Sequence, residues 1–339
     1  MDFEIILIDD ASSDETLADF TRRRVGAEAL NKLIAPMAGG IFAGDPEQMS
    51  VQACFPRIYQ LEQEYGGLLK AMLRLTRQHH SDKKAGKVVA SPAGPGGVLT
   101  SFHGGIEELI CALSDAIGRA NLIQTAAVSQ ISPLQNGQWQ VTAGNEVYVA
   151  DKIVCATPAF ASAAMLQDLD ADLANSLQKI KYAPLLVVCL GYAQAQIEAD
   201  LNGFGYLFAR GEDEALLGTL WDSSIFAARA PEDKILLRSM LGGASHPQVM
   251  NLDDQQIQQL VQKSLTTTLG INATPELVQI YRHAQAIPAY GLGHKDLVAK
   301  IMAQASQHPG LFITGNAYTG VGINDCVAAA VATAKQVLA

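Results

Sequence analysis

Apolar residues recur at helical spacing through residues 17–77, which predicts a mainly helical region near the start of the chain. Before it, FEIILIDD at 3–10 predicts a short buried strand. The polar run that follows contains three candidate helix caps, Ser12, Ser13 and Asp14. The stretch GGIFAGDP at 39–46 is expected to separate helices, and the polar, then Gly/Pro-rich, stretch at 79–98 indicates a loop or a crossing between domains.

Strand and turn signals dominate the middle of the chain. SFHGG at 101–105 precedes an amphipathic helix, and Asn136-Gly137 is a strong hairpin signal between two alternating stretches. A strand at 152–156 is expected to stop at Thr157-Pro158, before an alanine-rich helix. From 185 to 243, apolar strands alternate with glycine turns, which predicts one antiparallel sheet.

The last third ends in a strand–turn–helix unit. Helices are expected around 253–268 and a strand at 277–281. A short buried strand at 311–314 then leads through three glycines into a helix built from Ala and Val. The three glycines are Gly315, Gly320 and Gly322. Together the patterns predict a mixed α/β chain that combines helices with an antiparallel sheet.

Length and composition narrow the function classes. With 339 residues, 49% of them hydrophobic, two domains or one domain with a large insertion is the default. The net charge of −10 provides no basic footprint, so no nucleic-acid partner is expected. The five scattered cysteines lack zinc spacing and favour reduced thiols in a cytoplasmic protein. No apolar run is long enough to span a membrane, while peripheral membrane contact and a homodimer stay open.

The C-terminal glycines bear on function because they let the backbone turn and lie close to a ligand. The helix after them begins near Asn324 or Asp325, and its first N–H groups carry partial positive charge. Such a helix end suits an electron-rich group, either a phosphate or the N1–O2 edge of a flavin. An ordinary capped strand–turn–helix connection has the same spacing, and the spacing alone does not decide between the two.

A series of separated segments carries a more specific signal. In chain order the segments are LADFTRRRVGAEALNKLIAPMAGGIFAGDPEQMSVQACFPRIYQLEQEYGG (17–67), SFHGGIEELICAL (101–113), IVCATPAFASAAML (153–166), KIKYAPLLVVCLGY (179–192), GFGYLFAR (203–210), LLGTLWDSSIFAARAP (216–231), AIPAYGLGH (286–294) and GNAYTGVGINDC (315–326). From about residue 17 to residue 339, their order and spacing resemble the FAD-dependent protoporphyrinogen and coproporphyrinogen oxidases of the amine-oxidase-like flavoprotein superfamily.

The resemblance implies an FAD-binding domain built from discontinuous segments and a substrate domain with an antiparallel sheet and helices. The implied division is an atypical N-terminal segment at 1–16, a helical part of the substrate domain at 17–85, FAD-binding segments at 86–165 and 291–339, and the sheet-containing part of the substrate domain at 166–290.

The resemblance also implies an activity. The expected reaction oxidises protoporphyrinogen IX or coproporphyrinogen III to the porphyrin in heme biosynthesis, with FAD as cofactor and molecular oxygen as acceptor. Because the flavin supplies the redox chemistry, neither a catalytic nucleophile–base pair nor a metal site is expected. Carried over onto the matching motifs, the cofactor-binding residues are Val128, Thr157, Gly315, Asn316, Val321, Gly322 and Ile323.

A flat apolar macrocycle with carboxylate arms requires an apolar pocket with a few basic anchors. The substrate-binding candidates are Arg210, Leu207 and Phe226. Arg229 and Arg282 are further candidate anchors. A structural or surface role for each arginine, and core packing for the two apolar residues, are the competing interpretations.

The start of the chain departs from the family pattern. The family begins with a strand and GxGxxG, which binds the FAD pyrophosphate, and residues 1–339 contain no such motif. Instead, EIILIDDASSDET at 4–16 is similar to the opening strand of a family-2-type glycosyltransferase. A fragment, a misannotated gene start and a fusion are the three interpretations of this departure. A different amine-oxidase or desaturase flavoprotein, a glycosyltransferase and a non-catalytic remnant are the alternative functions.

Overall fold

A computed structural model describes residues 14–67, 70–71, 73–74, 99–212 and 215–339. Its α-helices are α1 Leu17–Val25, α2 Ala27–Ala29, α3 Ala35–Phe42, α4 Val51–Cys54, α5 Pro56–Tyr65, α6 Glu107–Ile117, α7 Ala159–Leu166, α8 Ala171–Gln178, α9 Asp222–Ile225, α10 Asp254–Leu269, α11 His294–Ala305 and α12 Ile323–Leu338. Its strands are β1 Val128–Pro133, β2 Trp139–Ala143, β3 Glu146–Ala150, β4 Ile153–Cys155, β5 Tyr182–Ala193, β6 Gly205–Leu207, β7 Leu216–Leu220, β8 Lys234–Gly242, β9 Leu277–Pro288 and β10 Leu311–Ile313.

Several sequence predictions concern residues outside this description. They are the strand at 3–10, the caps Ser12 and Ser13, and the loop at 79–98. Among the described helices, none is long and apolar enough to cross a membrane.

The predicted cap Asp14 has a different role. Thr16 caps α1 instead, because its Oγ1 accepts the Asp19 N–H at 3.0 Å. The Asp14 carboxylate accepts hydrogen bonds from the Ser50 hydroxyl at 2.7 Å and from the Gly293 N–H at 2.9 Å. Asp14 therefore joins the first helices to a segment near the end of the chain, a long-range role that local sequence does not reveal.

The predicted helix break at 39–46 is also corrected. Helix α3 continues through Gly39 and Gly40 to Phe42, and the chain leaves it at Ala43, whose φ is 48°. A Cβ on Gly40 would lie 3.1 Å from Leu207 Cδ2, and one on Gly39 would lie 3.5 Å from Leu217 Cδ2. Gly40 thus lets α3 pack closely against the large sheet, whereas Gly39 lies at the same helix–sheet contact with room for an ordinary Cβ.

The first sheet is a three-stranded meander in the order β1-β2-β3. Its two turns lie at Asn136-Gly137 and at Gly144-Asn145, with φ of 83° at Gly137 and 61° at Gly144. Left-handed backbone of this kind favours glycine, which is why the hairpin prediction is confirmed.

The second sheet is the parallel pair β10-β4, in which Ile313 lies opposite Cys155. One face of the pair, with Cys155, Leu311 and Ile313, is buried in a core shared with α7, α8 and α11. Strand β4 is followed directly by α7, as the alanine-rich pattern predicts.

The third sheet has five antiparallel strands in the order β6-β7-β8-β5-β9. This confirms the predicted antiparallel sheet and adds β9, which is longer than the strand predicted at 277–281. One face of the sheet packs on α10 through Ile257, Val261 and Leu265, forming a second core. The observed mixture of helices, one antiparallel sheet and one parallel pair confirms the predicted α/β class.

Candidate functional site

The candidate site begins where the two parallel strands end side by side. The Thr314 N–H donates to the Cys155 carbonyl at 3.0 Å, so β4 and β10 stay paired to their last residues. Thr157 and Gly315 follow directly. In open α/β sheets, ligands bind outside the carboxyl ends of parallel strands. The structure therefore brings two of the predicted cofactor-binding residues to an edge that suits a ligand.

The glycines of the C-terminal segment have distinct roles. Gly315 has φ 129°, and a Cβ there would meet only the Ala156 carbonyl oxygen, at 3.8 Å. Gly320 has φ 149°, and a Cβ there would lie 2.5 Å from the side chain of Asp325. Gly315 thus opens space at the strand end, whereas Gly320 makes room for the first turn of α12.

The N-terminus of α12 presents donors to solvent. Gly322 is the N-cap residue, and its N–H donates to Asp325 Oδ2 at 3.3 Å. The next two amides, of Ile323 and Asn324, have no hydrogen-bond partner among the described residues. Because a helix N-terminus also carries partial positive charge, these amides suit an electron-rich group. Val321 turns the other way and packs against the core of α1, α3 and α4.

Tyr290, which the sequence analysis did not single out, holds this segment in place. Its buried hydroxyl donates to the Asn316 carbonyl at 2.5 Å and accepts the Gly320 N–H at 2.9 Å. Burial raises the pKa of the Tyr290 phenol well above its ordinary value, so it remains a donor near neutral pH. Its own backbone carbonyl accepts the Ser50 N–H at 2.9 Å. Tyr290 therefore ties the glycine segment to the first helices.

His294 stacks on Tyr290, with ring centroids 4.1 Å apart and an interplanar angle of 16°. It begins α11, is 4% exposed, and its Nε2 has no hydrogen-bond partner among the described residues. Burial lowers its pKa, which favours the neutral imidazole. The only sequence signal for this pair is an aromatic residue and a histidine flanking glycines in AYGLGH, which by itself is not specific.

The other predicted cofactor residues lie apart. Thr157 is exposed, and its hydroxyl is 2.8 Å from the Ser162 hydroxyl on α7. Val128 opens β1 in the meander and packs on the core that lies beneath α7. Val128 thus belongs to a different sheet from Thr157 and Gly315, and its assignment as a cofactor contact stays a prediction.

Two cavities flank α3 on the side of the large sheet. One, of about 560 Å³, has mainly apolar walls that include Met37, Ile41, Phe204, Leu207 and Met240. The other, of about 490 Å³, is more polar and is lined by Asp45, Phe208, Arg210 and His246, among others. Pro36 contributes to both cavities. The structure therefore places the candidates Leu207 and Arg210 in neighbouring cavities.

Arg210 is held by carboxylates. Its guanidinium donates to Glu47 at 2.9 Å and lies 3.8 Å from Asp45. Glu47 also pairs with Arg22, and these hydrogen bonds, with Arg22 the larger contribution, hold the pKa of Glu47 below its ordinary value. A carboxylate ligand at Arg210 would have to compete with a Glu47 that is already shared between two arginines.

The remaining candidates lie away from both cavities. Phe226 stacks under Arg229, whose guanidinium carbon is 5.4 Å from the ring centroid, and it lines neither cavity. Arg229 itself donates to the Phe102 and His103 carbonyls, which secures the loop before α6. Arg282 pairs with Asp254 and donates to the Leu252 carbonyl at 3.1 Å. These contacts favour structural roles for both arginines.

Comparisons with known proteins identify the family of this chain. Residues 4–338 match the family described as flavin containing amine oxidoreductase, and the match includes the 4–16 stretch that resembles a glycosyltransferase opening. The chain is 30% identical to protoporphyrinogen oxidase 1, chloroplastic, of Spinacia oleracea, covering 96% of this chain but 60% of that protein. It is 29% identical to coproporphyrinogen III oxidase of Bacillus subtilis (strain 168), covering 96% of this chain and 68% of that protein.

A solved structure supports the same relationship. A protein of Exiguobacterium sp. 255-15 assigned as a protoporphyrinogen oxidase superposes with a TM-score of 0.79 at 26% identity, over 96% of this chain and 67% of that one. This chain thus spans between three fifths and about two thirds of the length of these relatives. On the match of residues 4–338, the chain belongs to the flavin containing amine oxidoreductase family.

Proposed function

We propose that the protein oxidises a porphyrinogen, protoporphyrinogen IX or coproporphyrinogen III, to the porphyrin, with FAD as cofactor and molecular oxygen as acceptor. The observation that carries the proposal is the paired end of β4 and β10 next to the open N-terminus of α12, in a chain whose relatives are named for both porphyrinogens. The reaction belongs to heme and tetrapyrrole biosynthesis.

FAD is the cofactor that the family assignment gives this protein. The described residues fit one end of it. The amides of Ile323 and Asn324, which have no partner in the described part of the chain, suit the electron-rich edge of the ring system, and Gly315 leaves space beside Thr157. FAD bound there would supply the redox chemistry between the substrate and oxygen.

The apolar cavity beside α3 suits a flat macrocycle. Met37, Ile41, Leu207 and Met240 would contact the ring system and exclude water, and the neighbouring cavity would receive a carboxylate arm near Arg210. Glu47 already pairs with Arg210, so a substrate carboxylate would have to replace the Glu47 carboxylate. The gain in binding free energy from such an exchange is small. We therefore propose that the apolar wall selects the substrate by its shape and that Arg210 only orients it.

We place the reaction in the cytoplasm. All five cysteines are free thiols. Burial raises the pKa of Cys155 to about 11 and of Cys54 to about 12, so both remain protonated and unreactive at neutral pH. Five scattered cysteines without zinc spacing suit a reducing compartment.

The test is a reconstitution with FAD followed by an assay of porphyrin fluorescence. The purified protein is incubated with FAD, freed of unbound flavin, and given each porphyrinogen in air, with protein-free samples recording autoxidation. Faster porphyrin formation than autoxidation, with consumption of oxygen, is the expected result. A flavin-loaded protein that leaves both porphyrinogens at the autoxidation rate but oxidises an amine would replace this proposal with an amine oxidase function.

A further inference from the structure

Arg238 lies on the face of the large sheet that borders the apolar cavity. Leu237 and Leu241 of the same strand, β8, are buried in the core formed with α10. Because neighbouring residues of a strand point to opposite faces, Arg238 and Met240 point away from that core. Met240 is part of the cavity wall, and so is Leu220, which lies directly opposite Arg238 on β7. Arg238 is therefore a basic residue next to two apolar residues of the wall.

The guanidinium of Arg238 has donors that the described residues do not use. Its Nη2 donates to Asp222 Oδ1 at 2.8 Å, whereas its Nε has no hydrogen-bond partner within the described ranges. The side chain of Arg238 is 41% exposed, and that of Asp222 is 14% exposed. A guanidinium presents its N–H donors in a planar fork that binds carboxylates. Asp222 thus fixes the orientation of the guanidinium and leaves part of it accessible to a second carboxylate.

Arg210, the basic residue already assigned to orient the substrate, is paired differently. Its guanidinium donates to Glu47 and lies 3.8 Å from Asp45, so it contacts two carboxylates of the protein. The described residues give Arg238 one such contact. A substrate carboxylate therefore meets less competition at Arg238 than at Arg210.

The two arginines lie at opposite ends of the apolar wall. In one row across the sheet, Arg238 lies opposite Leu220. The next row on this face, two residues further along the strands, contains Met240 and Leu207. Arg210 follows three residues beyond Leu207 in the same direction. The wall is thus an apolar strip with a cation at each end, which suits a flat apolar body with carboxylates on opposite edges.

We propose that Arg238 binds a carboxylate arm of the substrate and thereby makes the cavity selective for coproporphyrinogen III. The inference rests on the proposed function and names the substrate within it. Coproporphyrinogen III carries a propionate arm on every pyrrole ring, whereas protoporphyrinogen IX carries propionates along one edge and vinyl groups on the opposite rings. Only the former places carboxylates at Arg238 and near Arg210 at the same time.

Asp222 sharpens this selectivity. Without the charge of Arg238, a propionate at this end of the wall would face the Asp222 carboxylate, and like charges repel. Coproporphyrinogen III places a propionate there in every orientation. Protoporphyrinogen IX can turn its vinyl edge towards Asp222 and its propionates towards Arg210. Loss of Arg238 should therefore harm the first substrate more than the second.

The test is the variant Arg238→Gln, reconstituted with FAD and assayed with both porphyrinogens. Gln keeps a donor for Asp222 and removes the charge. The ratio of kcat/KM for coproporphyrinogen III to kcat/KM for protoporphyrinogen IX should exceed one in the parent and fall at least about tenfold in the variant. Retained activity on protoporphyrinogen IX shows within the same sample that the variant is folded.

Two further variants serve as comparisons. Arg282→Gln is the matched control, because Arg282 belongs to the same sheet and also pairs with one aspartate, Asp254, but lies on the α10 face. It should leave the ratio unchanged. Asp222→Asn keeps an oxygen that accepts from Arg238 and removes the competing charge, so it should raise the ratio by up to about threefold.

A second measurement needs no turnover. Binding of the products, coproporphyrin III and protoporphyrin IX, to the same proteins is followed by the shift of the porphyrin absorption band. Arg238→Gln should weaken binding of coproporphyrin III at least about tenfold more than binding of protoporphyrin IX. If this result is obtained while neither porphyrinogen is oxidised faster than by autoxidation, the selectivity of the cavity stands and the proposed oxidase function fails.

Three outcomes would overturn the assignment of Arg238. The first is a parent protein that uses and binds the two tetrapyrroles equally well or prefers the protoporphyrin series. The second is an equal loss for both tetrapyrroles in Arg238→Gln. The third is a fall of the ratio in Arg282→Gln as large as that in Arg238→Gln.

Discussion

The Tyr290 hydroxyl holds two backbone groups of the glycine segment at once, the carbonyl of Asn316 and the N–H of Gly320. A buried backbone group that loses its partner costs about 1–3 kcal/mol. This single phenolic oxygen, together with the packing of Val321, therefore holds the glycine segment against the first helices.

Replacing Tyr290 with Phe should consequently lower the free energy of unfolding by about 1–3 kcal/mol, because both backbone groups lose their partner while the ring packing stays. Urea-induced unfolding followed by fluorescence measures the difference. Tyr281→Phe makes the same chemical change at an exposed position of β9 and should stay within about 0.5 kcal/mol of the parent. Equal effects of the two variants would contradict the bridging role.

His294 gives the protein a defined pH dependence. Burial lowers its pKa below the ordinary 6.5, so the unfolded chain binds a proton more readily than the folded chain. The stability that neutral His294 contributes is complete above about pH 6.5 and is lost as the pH falls towards the folded pKa, with a slope of at most about 1.4 kcal/mol per pH unit. The hydrogen bond that the His294 ring donates to the Tyr318 backbone, and the charge of Asp14, limit the shift in its pKa.

The variant His294→Phe isolates this contribution, because it keeps a ring against Tyr290 and removes the titrating group. Unfolding free energies of the parent and the variant are measured from pH 7.5 to pH 5. The parent should lose stability more steeply on the acid side, and the difference between the two curves belongs to residue 294. Parallel curves would show that His294 is accessible to protons in the folded protein.

Among the elements, α3 and β6 each contain a glycine, and the two glycines have opposite effects on the stability of the fold. Gly39 in α3 has ordinary helical geometry, and a Cβ there would make normal contact with Leu217. Gly205 opens β6 with φ 135°, and a Cβ there would overlap the Thr219 carbonyl oxygen. One glycine weakens its helix, while the other is required by the pairing of β6 with β7.

We therefore expect Gly39→Ala to raise the free energy of unfolding by up to about 1 kcal/mol, and Gly205→Ala to lower it by about 2 kcal/mol or more. Thermal and urea unfolding of the two variants show whether the free energy of unfolding rises in the first and falls in the second. Because each variant adds a single methyl group, each serves as the control for the other. A neutral Gly205→Ala would mean that the β6 edge can shift without cost.

Elements whose causes are local were predictable from the sequence. The hairpin at Asn136-Gly137 and the α7 helix after Pro158 depend on a few neighbouring residues, and both are confirmed. The break between helices was predicted to begin at Gly39, but α3 continues to Phe42, and its two glycines face leucines more than 160 residues away that no local pattern contains. The pairing of Cys155 with Ile313 and the stacking of Tyr290 on His294 likewise depend on contacts that no local pattern contains.

The candidate site divides along the same line. The sequence predicted the turn with Gly315 and Gly322 before the last helix, because a glycine-rich turn before a helix has a recognisable pattern, and cofactor binding by these residues stays a prediction. The residues that hold this turn, Tyr290 and Asp14, were missed or misassigned because their hydrogen bonds cross the chain. Substrate candidates chosen by residue type alone, such as Phe226, did not converge on one cavity.

At the scale of the whole molecule, stability is concentrated around the large sheet. Strand β5 lies between β8 and β9, and its inward residues Leu186, Val188 and Leu190 are fully buried. The parallel pair has a core on one face only, and α12 adds no buried residue to the other. Local opening is easiest where few apolar contacts must be broken, so the candidate site should be the less stable end of the molecule.

Two helices of equal length test this difference in local stability between the large sheet and the candidate site. Both α10 and α12 have 16 residues, but α10 buries Ile257, Val261 and Leu265, whereas α12 buries none. Hydrogen–deuterium exchange of the isolated chain should therefore give α10 amides at least about 100-fold greater protection than α12 amides, a difference of about 2.7 kcal/mol in opening free energy. Helix propensity does not produce such a gap, since α12 is richer in alanine than α10 and would be the more stable of the two in isolation. Equal protection would show that the exposed apolar residues of α12, Ile323, Val327 and Val331, are covered in solution.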